Sequence, residues 1–487
     1  MPTPRFSRSF FIGLGGFLVA LGASYAFFRV AARANPSLTV HGGAGRALFA
    51  ESVTVAPGTS LFFTWGVTPS PRAKAIARGE TETESDRYGD TYAQARALMT
   101  QLTEDLREAG LTLRDVIAVR ANLVAEPELD MAGWNKAFGE FFGTATNPHK
   151  PARTTIGISR LFHPDYKAEV EFVAAIPPGR GPFAAGTRFA RLYDRLHRAE
   201  SSDRIRSYGR PTWALSTGKA IAAGSSLYFQ SAIFPDPMMP TMAAMPLKMR
   251  MYRGEVGTQA ESIFKKQVAA LTEAGLTPHD AFFSRNILYP DPKNGGRLDF
   301  NSFNKAYHEV YDNADNPNRL ARTVMSAPGY SAQGQLLTIE TYAVYPGDTT
   351  KLFTPAAKDG KPAALKAFRS DTKALAARGV ATSPAAALTW VSGLIAAERG
   401  DLKTESKAVF AVAKERLAAV GGDFSNVVQL RAYVAAGVNA ALAASDFEAA
   451  YASVFVGEHR PALTILPVKA LANNAKVEME FLAAVTP

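Results

Sequence analysis

Cysteine is absent from all 487 residues. That excludes disulfides, thiolate nucleophiles and cysteine-ligated metals. The seven histidines (His41, His149, His163, His197, His279, His308, His459) are scattered and form no HExxH or other close ligand pair, so no metal site is expected. No phosphate loop of the GxxxxGKS or GxxxxGKT type is present. A GxGxxG turn after a strand and a GxSxG elbow are also missing from the body of the chain. The common nucleotide-binding and serine-hydrolase signatures are thereby removed.

Formal charge is +10. Between Gly179 and Arg210, eight arginines face Asp194, Glu200 and Asp203, so half of the excess sits in one stretch. Phe189, Leu192, Tyr193 and Leu196 have helical spacing there, which reads as a solvated arginine-rich helix packing one face on a neighbour. No RNP phrase, zinc-finger spacing or basic heptad accompanies it, so no nucleic-acid partner is expected.

With 47% apolar and 20% charged residues the chain is globular, and its length suits about three domains. The N-terminus differs in kind. Arg5 and Arg8 precede an uncharged apolar run from about Ser9 to Phe28, and Arg29 and Arg33 follow. The run approaches the roughly 20 residues that span a bilayer as a helix. Ala32-Arg33-Ala34 also reads as a small-residue cleavage site. Residues 1–45 are therefore expected to be a membrane anchor or signal segment. The body is expected in the cell envelope, membrane-anchored or exported to a periplasm.

The body repeats. Residues 52–71 and 218–237 align without gaps and share seven of twenty residues, and 385–398 keeps the second half of the pattern. Each start reads as strand, glycine turn, strand. Helices follow at about Thr91–Ala109, Gln259–Ala274 and Ser406–Val420, ended by Gly110, Gly275 and Gly421. Strands are expected over Val116–Val124, Ala281–Tyr289 and Val427–Val434, and a second helix carries Trp134, Phe138 and Phe141 and their counterparts. Alternating strands close each copy, as in Glu169-Val170-Glu171-Phe172. Helices on one sheet face leave the other bare. Three bare faces in one chain are expected to bury each other, giving a covalent pseudo-trimer with clefts at its seams. The expected organisation is unit 1 at 46–178, a basic linker at 179–211, unit 2 at 212–346, a linker at 347–379 and a degenerate unit 3 at 380–487.

The helix end Ala109-Gly110-Leu111, the second-helix asparagine, Pro151-Ala152-Arg153-Thr154-Thr155 and the closing strand, in this order and three times over, resemble the Rid/YjgF family of imine deaminases. The resemblance implies an α+β, chorismate-mutase-like fold, a sheet with two helices on one face. It implies hydrolysis of small carboxylated enamines and imines to 2-keto acids and ammonia in clefts between units, with neither a metal nor an organic cofactor. Carried over by position, Arg153 and Arg322 would bind the substrate carboxylate and Glu169 would place water. Asn135, Asn304, Gly66, Ser231, Ser392, Gly393 and Glu478 would line the clefts. Arg153 with Glu169 is the most complete pair within one copy. Trp65 stands in place of serine, Ala232 of glycine, Thr338 of the acid, Leu463 of arginine and Glu448 of asparagine. These departures motivate a second expectation, a non-catalytic carboxylate-binding or scaffold protein on the same fold. A third is an enzyme acting on another small acid such as chorismate.

Overall fold

The structure, a computed structural model, describes residues 35–42, 47–69, 88–161, 163–178, 204–208, 218–245, 250–296, 298–328, 334–349, 364–368, 379–435, 440–456 and 459–485. The apolar run 9–28 and the helix expected around Phe189–Leu196 lie outside them. Among the described residues no helix is long and apolar enough to cross a membrane.

The first unit contains β1 (Leu38–His41), β2 (Ser52–Val55), β3 (Ser60–Thr64), α1 (Thr91–Glu108), β4 (Val116–Val124), α2 (Met131–Phe141), β5 (Ala152–Ile158) and β6 (Ala168–Ile176). The second contains β7 (Ile205–Tyr208), β8 (Gly218–Ile221), β9 (Leu227–Gln230), α3 (Val256–Glu273), β10 (Ala281–Leu288), α4 (Phe300–His308), β11 (Ala321–Ser326) and β12 (Leu337–Val344). The third contains β13 (Leu365–Phe368), β14 (Gly379–Thr382), β15 (Ala387–Leu394), α5 (Leu402–Ala418), β16 (Val427–Ala435), α6 (Ala440–Val454), β17 (Ala462–Val468) and β18 (Val477–Val485). Local chemistry sets the helix ends. Asp90 accepts the Ala93 N–H at the start of α1, and Gly110 takes φ +75° just beyond its end, a conformation that costs glycine no Cβ clash.

The chain is α+β, three tandem units packed as a pseudo-trimer. Alternation along β6 divides the two sides of its sheet. Val170, Phe172, Ala174 and Ile176 pack with Leu98, Leu102, Leu106, Trp134 and Phe138 of the covering helices. Val173 and Ala175 face the middle, in one cluster with Phe63, Phe229, Phe282, Phe283, Tyr342, Trp390 and Leu482 from all three units. Burying these apolar faces against each other supplies the main attraction between units.

The glycine turns do not close local hairpins. Each sheet has six strands, in the orders β5-β4-β6-β3-β8-β7, β11-β10-β12-β9-β14-β13 and β17-β16-β18-β15-β2-β1. β2 pairs with β15 instead of β3, β8 with β3 instead of β9, and β14 with β9 instead of β15. Each unit therefore lends its leading hairpin to a neighbour, in a closed cycle. The links after β2, β8 and β14 cross between sheets and meet around one pocket, where Gly224 N–H donates to Gly58 O at 3.1 Å. Two consequences revise the expected boundaries. Ile205–Tyr208 and Leu365–Phe368 are strands inside stretches read as linkers, and Leu38–His41 is a strand inside the expected N-terminal segment.

At the level of the central strands a ring of charges closes around the axis. Arg120, Arg285 and Arg431 lie directly opposite Glu171, Glu340 and Glu480 of their own sheets. Each arginine also reaches a neighbour: Arg120 to Glu480, Arg285 to Glu171 and Arg431 to Glu340, the last at 2.8 Å. Every glutamate thus meets two arginines, and charge alternates round the ring. Thr323 and Thr464 donate hydroxyls to Glu171 and Glu340. Burial alone would raise the Glu171 and Glu480 carboxyls, but the flanking arginines outweigh it and hold both below the usual carboxylate range. Their stabilising share is present above the ordinary carboxyl pKa and is lost as pH falls through the depressed values. Arg431→Leu strips one cation from both Glu340 and Glu480. It should lower unfolding stability by about 3–5 kcal/mol, read as a lower urea midpoint at neutral pH.

Candidate functional site

The seams between units carry the residues that the sequence singled out, but in cross-unit combinations. The end of β3, β9 or β15 in one unit abuts β11, β17 or β5 of the next. Gly66 N–H donates to Arg322 O at 3.3 Å, Ala232 N–H to Leu463 O at 3.4 Å, and Arg153 N–H to Ser392 Oγ at 2.9 Å.

One seam joins unit 1 to unit 3. Arg153 leaves the outermost strand β5 on the helix side and is only 6% exposed. Its guanidinium lies 4.3 Å from the Phe49 ring centre and 4.9 Å from that of Phe138, and Nη1 donates to Asn135 Oδ1 at 2.8 Å. Burial pulls its pKa down to about 10, against the pull of Glu478, so it stays cationic at neutral pH. Ser392 Oγ donates to Ala50 O at 2.6 Å and so holds the two units together under the arginine. Glu478 occupies the place where a side chain at residue 393 would begin, because a Cβ on Gly393 would overlap its carboxylate. Burial, then repulsion from Glu480, pushes Glu478 up to about 8, with the Thr155 backbone and Arg153 pulling the other way. A cavity of about 30 Å³ has Arg153 and Ser392 in its wall, together with Arg120, Arg431, Trp390 and Tyr342. That volume holds roughly two waters.

A second seam joins unit 2 to unit 1. Arg322 is 7% exposed, and its Nε and Nη1 are buried with no hydrogen-bond partner. Its guanidinium packs on Tyr307 and Phe303, 4.6 and 5.5 Å from the ring centres, and burial lowers its pKa. Asn304 Oδ1 is likewise buried and unpartnered. Across the seam, Glu169 fills the space above Gly66, where a Cβ would overlap it. Burial and then Glu171 push its pKa up to about 8, opposed by Asn122, the Val324 backbone and Arg285. Trp65, in the position of Ser392, is half-buried against the helix-side core of unit 1.

The remaining seam, between units 3 and 2, is different. Leu463 takes the arginine position, and its N–H donates to Ser231 Oγ at 2.9 Å. Thr338 takes the acid position and accepts from Gln335 Nε2 at 2.7 Å. Ala232 has replaced the glycine where no carboxylate needs the room. Glycine and glutamate thus occur together at two seams and are lost together at the third.

The pairing of Arg153 with Glu169 is corrected. Glu169 lies against Gly66 and unit 2, whereas Arg153 meets Glu478. The reason is topological: β4 separates β5 from β6, so these side chains of one unit serve opposite seams. The closing-strand glutamates point away from the helices. They are buried, and they share the inner face with the ring. Sequence reasoning missed the ring, although an arginine and a glutamate stand at its positions in all three copies. It also missed the aromatic floor that Phe138, Phe303 and Tyr307 form under the arginines. Among the described residues no group of three or more His, Asp or Glu is placed to hold a metal ion.

The raised Glu478 carboxyl stabilises the fold fully below its ordinary value near 4.5, and that share is lost as pH rises through about 8. Glu478→Gln, neutral at every pH, should therefore match the parent's unfolding temperature near acid pH and exceed it above the Glu478 pKa. Gly393→Ala should cost about 1–3 kcal/mol by crowding that carboxylate, whereas Ala232→Gly should lose only the backbone-entropy increment. Thermal unfolding across pH checks both.

The family described as Endoribonuclease L-PSP matches residues 76–176 and 373–485, in the first and third units. A RutC family protein of Pyrococcus horikoshii is 29% identical over 123 residues, which is 25% of this chain and 84% of that protein. Among solved structures, yeast Mmf1 is 26% identical, covering 24% of this chain and 97% of Mmf1 with a TM-score of 0.18. The Rid family protein YyfB of Yersinia pestis is 24% identical, covering 29% of this chain and 99% of YyfB with a TM-score of 0.23. The RutC family protein thus corresponds to one unit in length. With the matched stretches falling in separate units of one repeated fold, the chain carries the unit of the Rid/YjgF family in multiple copies.

Proposed function

We propose that this protein hydrolyses small carboxylated imines and enamines to 2-keto acids and ammonia at two of its three seams. The observation that carries the reading is Arg322, a buried cation whose Nε and Nη1 have no partner, at a seam that also holds a carboxyl of raised pKa. Such a fork suits a carboxylate, which can accept two parallel hydrogen bonds. Arg153 would do the same beside Glu478.

The chemistry follows from the raised carboxyls. With a pKa of about 8, Glu169 or Glu478 is mostly protonated at neutral pH. It can give its proton to the imine nitrogen, making the carbon electrophilic. The resulting carboxylate then takes a proton from the attacking water as the carbon–oxygen bond forms. The same group then returns a proton to nitrogen, the carbon–nitrogen bond breaks to release ammonia, and the carboxylate takes the hydroxyl proton as the carbonyl forms. The net change is imine plus water to 2-keto acid plus ammonia, with the glutamic acid regenerated. Asn135 and Asn304 would orient the substrate. Trp65 in place of the Ser392 counterpart would make the second seam the narrower.

Turnover of 2-iminobutanoate generated in situ tests this. Arg153→Ala and Arg322→Ala should each remove the share of one seam. The double variant should fall to the uncatalysed rate, and Glu169→Gln with Glu478→Gln should cost about 10²–10⁴-fold. Unchanged turnover in the double arginine variant removes the proposal. Binding of 2-ketobutanoate without any turnover favours a non-catalytic carboxylate-binding protein, for which the third seam, with Leu463 and Thr338 at the arginine and acid positions, is a precedent within the chain. The apolar run from about Ser9 to Phe28 would tether or export this body. Recovery of the intact full chain in a soluble cytoplasmic fraction removes that part.

A further inference from the structure

Six of the chain's eleven methionines fall within fourteen residues, Met238, Met239, Met242, Met245, Met249 and Met251. This segment follows β9 in unit 2 and belongs to no seam residue set. Core packing does not account for it. Met239 and Met245 are 47% and 36% exposed, two of the four exposed large hydrophobic side chains among the described residues. An exposed thioether contributes little to burial, but its sulfur is a soft, neutral ligand.

The backbone spaces these residues regularly. Residues Pro240–Ala244 form a short 3-10 helix with Met239 and Met245 as its flanking residues. Met242 N–H donates to Met239 O and Met245 N–H to Met242 O, each at 3.0 Å. At three residues per turn and a rise of about 2 Å per residue, the flanking Met239 and Met245 stand roughly 6 Å along the axis on either side of Met242. Their unbranched side chains can close that spacing on a common ion. Met238 N–H donates to Met251 O at 2.7 Å, which ties the start of this segment to the strand-like stretch after it. The neighbouring charges are otherwise engaged: Arg250 Nε donates to Met245 O at 2.9 Å, and Lys266 pairs with Asp236 at 3.0 Å. Met249 lies outside the described residues.

We propose that this methionine segment is a binding site for a soft monovalent cation, Cu(I), with Met239, Met242 and Met245 as its thioether ligands. Thioethers select Cu(I), whereas Zn(II) requires imidazole, thiolate or carboxylate donors that are not gathered here. No electron transfer is involved, and the site is independent of the imine chemistry.

The test uses the untagged full chain in mild detergent, without oxygen, with copper sulfate reduced by ascorbate and bicinchoninate as the competing chelator. The protein should withdraw one Cu(I) per chain with sub-micromolar affinity, Ag(I) should displace it, and Zn(II) should not. A triple variant, Met239→Leu with Met242→Leu and Met245→Leu, keeps the apolar bulk and removes the sulfurs. It should bind on the order of 100-fold more weakly with an unchanged unfolding temperature. Should the triple variant fail to fold, Met239→Leu alone, at an exposed position, should still weaken binding severalfold. A parent that leaves copper with the chelator, a leucine variant that binds equally well, or an X-ray absorption edge showing nitrogen or oxygen ligands would overturn the assignment.

Discussion

Six buried charges of alternating sign close around the axis where the three sheets meet, and their mutual neutralisation constrains everything built on them. Arg120, Arg285 and Arg431 each bridge a glutamate of their own sheet and one of a neighbour. Such a network adds little net stability compared with a well-packed apolar core, but it cannot be broken piecemeal without leaving an uncompensated ion. It therefore rewards one angular arrangement of the units. The apolar cluster above it, with Phe63, Phe229, Tyr342 and Trp390, tolerates more variation, because hydrophobic attraction is non-directional. The exchanged leading hairpins add covalent and strand-pairing closure to the same assembly.

The ring also sets the chemistry at the seams. Glu169 and Glu478 precede ring glutamates by two residues, so they share a face of the same strand. The arginines keep Glu171 and Glu480 ionised, and those anions, added to burial, keep their strand neighbours protonated near neutrality. One strand thus carries two carboxyls with pKa values driven apart, the pattern from which acid–base function is built. Unit 2 keeps the ring member Glu340 and has Thr338 where the seam acid would stand. The structural charge is retained in every copy, and the reactive one is not.

Much of this was legible beforehand. Val116–Val124 is the strand that its β-branched and apolar residues announced, and α1 runs from the Asp90 cap nearly to Gly110. Second-helix aromatics, the bare sheet faces and the phrase around Arg153 were equally readable, because each is local periodicity or local composition. The site was half legible. Its residue types were visible, but Arg153 had been joined to Glu169 of its own copy when its partner is Glu478, more than three hundred positions away. Hairpin exchange was invisible for a related reason: similar copies offer nearly the same strand edge, so pairing with the chain's own β3 or with a neighbour's counterpart leaves the same local pattern. The ring left a signal, an arginine and a glutamate repeated in all three copies, but a charge beside apolar residues looks like a solvated strand face until the other two sheets are present.

By itself the sequence determined the repeating units, their helices and strands, the family they belong to, and the residue types available for carboxylate binding and proton transfer. Those properties depend on side chains a few residues apart, which the order of the chain specifies directly. Only the tertiary structure decided which arginine meets which acid, which seam is left with Leu463 and Thr338, and which way the closing-strand glutamates face. Those choices depend on distances between segments far apart in the chain, settled when three sheets bury their faces together and opposite charges must find each other away from water.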